Sequence, residues 1–226
     1  MAILHQAASG FEQHGFCAAG LGHLVHNTGL SEGAEDFQSK SDLARAVIEE
    51  GFVRLADVNA RLVNGRTPAL ESLIDVAHLT VDPSRHDPLI AAAHRLLREV
   101  GDQLESTPVV FDSWRTTYRN LLSRAIAEDD VRSDIDTDET AQLLLFLIYG
   151  GHLITTATSQ PGELKRQLTL TWKTLLPMIV TGAQQEYFRE FTARRLAAIG
   201  SRSIAPTGAG NAKRRGRRPK GTTHDR

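Results

Sequence analysis

Residues Asp136 to Thr156 read DTDETAQLLLFLIYGGHLITT. Ala141, Leu144, Leu145, Ile148, Gly151 and His152 recur at spacings of three and four, which places them along one side of an α-helix. Asp136, Thr137 and Asp138 stand just before that stripe and offer side-chain oxygens to the orphan N–H groups of a first turn. The same pattern recurs outward in both directions. Leu43, Val47, Ile48 and Leu55 repeat it, as do Leu70, Leu73, Ile74 and Ala77, and then Trp114, Tyr118, Leu121, Leu122 and Ile126. A further helix is expected over Leu164 to Val180, kinked at Pro177 or ended at Leu176, because proline lacks the N–H that the helical ladder uses. Gly65 to Pro68, Asp82 to Pro88, Thr107 with Pro108, and Gln160 to Gly162 are the breaks between helices. Alternating strand patterns are scarce. The spacing predicts an all-α chain of about nine or ten helices.

The 226 residues are 41% hydrophobic and 23% charged, a mixture able to bury a core and unlike that of a disordered chain. The longest apolar run, Leu143 to Ile148, falls well short of the roughly 20 residues that cross a bilayer, so no membrane association is expected. Met1 to Ala8 has neither a basic start nor a long apolar run, so no secretory signal is expected and the reducing cytoplasm is the expected location. Cys17 is the only cysteine, which excludes internal disulfides, and it reads as a small buried apolar residue. His23 and His26 stand at an i,i+3 spacing but have no carboxylate partners close in sequence, so no metal site is expected. G-x-S-x-G, H-E-x-x-H and phosphate-loop patterns are absent, which argues against an enzyme, and no cofactor is expected.

Ile3 to Lys40 reads as three short helices. Ala7, Ala8 and Phe11 form the apolar side of the first, Gly15 ends it, and Phe16 plugs the core after the turn. Leu21, Leu24 and Val25 line the second, and Gly29 makes the bend into the third. Two short helices around a glycine turn form a helix-turn-helix layout, whose second helix is presented to the DNA major groove.

The order Ile3-Leu4, Ala7-Ala8, Phe11, Gly15-Phe16, Leu24, Gly29-Leu30-Ser31, Gly33-Ala34, Phe37 and Ser39-Lys40-Ser41-Asp42-Leu43 resembles the TetR family of bacterial regulators. The remainder is similar to its γ-butyrolactone receptor branch through Asp87-Pro88-Leu89, Phe111 to Arg115, Asp134-Ile135-Asp136, and Trp172 with Leu175 and Met178. The resemblance implies a helix-turn-helix head over residues 1–51, a ligand-binding and dimerisation body over 52–199, and a homodimer formed by helices near Asp138–Thr156 and Leu164–Ala183. It further implies phosphate contacts at Ser31, Gly33 and Lys40. Trp114 matches the family's pocket tryptophan, with Tyr118, Leu144 and Ile148 beside it, for a small apolar signalling ligand such as a γ-butyrolactone. Relatives usually carry an aromatic residue and a His-Phe pair before the Ser-Lys step. Here the run is the shorter Ala34-Glu35-Asp36-Phe37-Gln38-Ser39-Lys40, and Glu32 stands where Lys is common.

Charge separates the two ends of the chain. Met1 to Gly51 holds Lys40 and Arg45 against seven carboxylates, a net −5. Residues 200–226 are poor in core-forming residues and are expected to be disordered. Within them Lys213 to Gly221 resembles an AT-hook with an extra arginine, and Arg215, Arg217 and Arg218 are its candidate minor-groove contacts. An acidic head gives up the counterion release that drives non-specific DNA affinity, and the basic tail restores some of it. Two functions follow as expectations: a ligand-responsive DNA-binding regulator, or a receptor-like protein without DNA binding of its own that pairs with an intact paralogue or sequesters ligand.

Overall fold

The structure, a computed structural model, describes residues 2–20, 37, 39–63, 66–81, 87–104, 107–158 and 163–200. Among these residues the fold is all-α, with eight α-helices. They are α1 (Ala2–Ala18), α2 (Lys40–Leu62), α3 (Ala69–Val81), α4 (Pro88–Val100), α5 (Thr107–Ala127), α6 (Thr137–Thr158), α7 (Glu163–Ile179) and α8 (Gln185–Gly200), with a 3-10 turn, Gly101–Gln103, after α4. The count is slightly below the nine or ten expected. The second and third head helices, the His23 and His26 pair, and the basic tail lie outside the described residues.

Local chemistry sets the helix starts. Ser39 Oγ accepts the Asp42 N–H at 3.1 Å and caps α2. Asp87 accepts the Leu89 N–H at 2.9 Å ahead of Pro88, whose fixed φ suits the first turn of α4. Asp136 Oδ1 accepts the N–H groups of Asp138 and Glu139, which identifies the cap among the three candidates before α6. Glu128, at the end of α5, reaches across to accept the Ala69 N–H at 2.6 Å and so caps α3 from outside its own segment.

The apolar stripes read from the sequence are buried, including Leu43, Val47, Ile48 and Leu55 on α2, and Ala141, Leu144, Leu145 and Ile148 on α6. α4 packs on α1 and α2, α5 on α3 and α6, and α7 between α6 and α8. α2 runs unbroken through Gly51 to Leu62. A Cβ on Gly51 would stand 2.5 Å from Ala93 Cβ and 2.6 Å from the Leu89 carbonyl oxygen. Glycine there is what lets α2 and α4 cross so closely.

Three expectations are corrected. α7 continues through Pro177 to Ile179 instead of ending at Leu176. Pro177 and Lys173, whose carbonyl loses its helical donor, both lie on the exposed side, and the Val180 N–H still closes the last turn on the Leu176 carbonyl at 2.9 Å. Cys17 is exposed, because the left-handed Gly15 (φ 73°) swings the chain so that Phe16 turns inward and Cys17 outward. α6, with mean hydropathy 1.3 over an 18-residue window, is long and apolar enough by composition alone to cross a membrane, which its six-residue apolar centre did not suggest. One side of it is packed in the body, while Phe146 and Ile154 on the other are 65% and 64% exposed.

Beyond α5 the chain is stitched to the end of α7. Val131 and Val180 form an isolated antiparallel bridge, the Arg132 N–H donates to the Ile179 carbonyl at 2.8 Å, and the Thr181 N–H donates to the Asp130 carbonyl at 3.0 Å.

Candidate functional site

Trp114 projects from α5 into a cluster of aromatic rings drawn from four helices. Its ring stacks on His94 of α4 at 5.8 Å between centroids. It meets Phe52 of α2 at 5.4 Å and Phe111 of α5 at 5.5 Å edge-on, and Tyr149 of α6 at 5.8 Å in a tilted pair. Phe111 and Tyr149 pack edge to face at 5.0 Å. Arg98 of α4 lies beneath this group with Nη1 3.3 Å from His152 Nε2. Burial pulls its guanidinium below the ordinary arginine value, against the opposing pull of Tyr149 and Glu99, and burial raises the Tyr149 phenol.

Two grooves flank the cluster. The larger, about 540 Å³, runs between α2 and α5 and is lined by Phe52, Val53, Ala56, Asn59, Val109 and Trp114 among others. The smaller, about 400 Å³, lies between α5 and α6 and is bordered by Phe111, Arg115, Leu145, Phe146 and Tyr149. Both volumes fall in the range of small-molecule sites, about 300–1,000 Å³. Glu49, Asn59, Ser113, Thr117 and Asn120 are the polar residues of the larger groove, and Asn59 is 8% exposed with its Oδ1 buried and without a hydrogen-bond partner.

α4 connects this cluster to the head. On the side away from Trp114, Arg95 donates to Glu99 and to the Glu12 carbonyl, and Glu99 accepts the Phe16 N–H, so the end of α1 is clasped by two α4 side chains. At the other end of α4, Asp87 accepts from Arg54 of α2, which also bonds Glu50, and His5 of α1 lies 3.8 Å from Asp87. Burial pushes the Glu99 carboxyl upward, but Arg95 and the Phe16 N–H outweigh it and hold the group below its ordinary value. Asp87 is likewise pushed up by burial and held low overall by the Leu89 N–H and by Arg54.

The residues read from sequence separate into three groups. Trp114, 6% exposed, stands in the aromatic cluster and on the wall of the larger groove. Tyr118, Leu144 and Ile148 are buried in the core and line neither of these two grooves. Lys40 begins α2 as expected, with its ammonium donating to the Phe16 carbonyl at 2.8 Å and lying 4.5 Å from the Phe16 ring centre. Ser31, Gly33, Arg215, Arg217 and Arg218 lie outside the described residues. Sequence reasoning missed Phe52, Asn59, His94, Arg98, Phe111 and Tyr149. Asn59 had a usable signal, since it follows Leu55 by four residues and so interrupts the apolar side of α2 with an amide.

The described residues form a helical body with two apolar grooves beside Trp114, joined to α1 and α2 through α4. Residues 67–181 match the family described as "Tetracyclin repressor-like, C-terminal domain". The chain belongs to this TetR family of transcriptional regulators, whose members are not enzymes. It is 23% identical over 179 residues to the A-factor receptor protein of Streptomyces griseus, covering 78% of this chain but only 62% of that relative's length. Its fold resembles a γ-butyrolactone receptor described as an ArpA-like protein, at 24% identity and TM-score 0.69, over 87% of this chain and 95% of that one. It also resembles CprB of Streptomyces coelicolor, solved in complex with its operator sequence, at 25% identity and TM-score 0.67, with the same coverages.

Proposed function

We propose that this chain is a ligand-responsive, DNA-binding transcriptional regulator acting as a cytoplasmic homodimer, in which a small apolar ligand of γ-butyrolactone type packs against Trp114 and alters the hold on the head. The observation that carries this reading is α4, which presents His94 and Arg98 to the aromatic cluster and Arg95, Glu99 and Asp87 to the head-side helices. A ligand that favours one position of α4 over another biases the position of α1 and α2 by its differential affinity for the two. Tyr118, Leu144 and Ile148 are buried in the core of the same helices, α5 and α6, that border the grooves. Relatives named as γ-butyrolactone receptors support the ligand class, and the operator complex of CprB supports DNA as the target. Ser31, Gly33 and Lys40 would meet phosphates, and Arg215, Arg217 and Arg218 a narrow minor groove. The exposed Phe146 and Ile154 support a partner copy on α6.

The second reading is a receptor-like protein that does not bind DNA by itself and pairs with an intact paralogue or sequesters ligand. It is favoured by the net −5 of Met1 to Gly51 and by the engagement of the Lys40 ammonium with Phe16. A gel-shift titration on the DNA upstream of the gene decides between them, using the full chain and a chain lacking Lys213 to Arg226 at several salt concentrations. The proposed function expects selective binding that survives removal of the tail. Binding that vanishes with the tail and falls steeply with salt would transfer the case to the second reading.

A further inference from the structure

The geometry points to Asn59 as the residue that selects ligands carrying a hydroxyl donor, in the groove between α2 and α5; this rests on the ligand-receptor reading above. A buried amide oxygen without a partner keeps the cost of losing its water, so natural structures seldom hold one without a reason. Here that oxygen belongs to a residue on the wall of a groove of about 540 Å³, opposite the α5 side chains that include Trp114. Phe52, Val53 and Ala56 make the neighbouring part of the α2 wall apolar, with Glu49 a further turn away, and Val109, Ser113, Thr117 and Asn120 face it from α5. One end of a ligand's chain is therefore received by hydrocarbon and aromatic surface, and among the polar residues of the lining (Glu49, Asn59, Ser113, Thr117 and Asn120) Asn59 is the one with a buried side-chain oxygen that has no partner. The terminal torsion of an asparagine is broad, so a small rotation turns the carboxamide toward an occupant. The occupant chemistry is an amphipathic molecule with an aliphatic body and one O–H donor. An isomer lacking the donor leaves the oxygen unsatisfied and binds less tightly.

The test uses the full chain labelled with a nitrogen isotope at its two tryptophans, which report as separate indole N–H signals assigned with Trp114→Phe. Trp172, whose N–H is held by His78 Nε2 at 3.0 Å, borders a separate groove of about 430 Å³ between α7 and α8, and its signal reports any binding there. The probes are 1-octanol and its isomer heptyl methyl ether, which has the same atoms and no donor. The expected result is that both move the Trp114 signal, with octanol bound there about 2- to 10-fold more tightly, the range of one net hydrogen bond. In Asn59→Leu the preference should fall to about 1 while ether affinity stays within about 2-fold of the parent. Asn59→Ala gives the same comparison should the leucine variant fail to fold. Equal binding of both probes by the parent chain, or an undiminished octanol preference in the variants, overturns the role of Asn59 alone. No movement of the Trp114 signal by either probe overturns the pocket assignment beneath it.

Discussion

Glu99 is one carboxylate with two duties. It pairs with Arg95 along α4 and accepts the Phe16 N–H at the end of α1. Gly15, the residue before Phe16, has φ 73°, and a Cβ there would stand 2.7 Å from both Arg95 Nη2 and Glu99 Oε1. The left-handed turn and the clasp therefore depend on each other. The Glu99 carboxyl titrates below its ordinary value in the folded chain, although burial pushes it the other way. A group whose pKa is depressed by folding stabilises the fold above its unfolded pKa, and that contribution disappears as pH falls through the folded one. Melting temperatures followed downward from about pH 5 should thus fall more steeply for the parent than for Glu99→Gln, and the two curves should converge once the carboxyl is protonated. Parallel curves throughout would mean that the clasp contributes nothing. Asp87, also depressed, adds to the same acid sensitivity with the same sign.

Among the helices, the crossing of α2 over α4 is the tightest constraint described. Gly51→Ala would force a methyl group into Ala93 and the Leu89 carbonyl, neither of which is a flexible side-chain end. Overpacking of this kind destabilises by about 1–3 kcal/mol. A urea titration should show the midpoint falling with little change in slope, while an unchanged midpoint would show that the two helices can separate freely. The existence of these helices was legible in the sequence, because the apolar period of residues such as Leu43, Val47 and Ile48 is written locally. Trp114 was also legible, through its place on α5 and its resemblance. The remainder of the site was not. Asn59 and Trp114 are 55 positions apart and His94 lies between them in the chain, so their meeting depends on how α2, α4 and α5 are stacked, which no local period encodes. Tyr118 illustrates the converse. It shares a helical side with Trp114, yet one further turn along α5 takes it into the packed interior.

For the molecule as a whole, α6 and α7 carry exposed large apolar side chains among the described residues, namely Phe146, Ile154, Leu170 and Met178. Burying such side chains against a second copy yields about 25 cal/mol per Å² of apolar area removed from water. Phe146→Glu combined with Ile154→Glu should convert the proposed dimer to monomers in sedimentation velocity while leaving the far-ultraviolet circular dichroism unchanged, since both side chains are exposed in one chain. A parent chain that already sediments as a monomer would refute the homodimer. The bridge between Val131 and Val180 gives this surface a mechanical character. It ties the end of α7 to the segment that follows α5, like the spine of a book whose fore-edge lies where Phe111 and Tyr149 touch. Pressing two such books together cover to cover would restrain the parting of either one, and assembly and ligand entry would then act upon the same hinge.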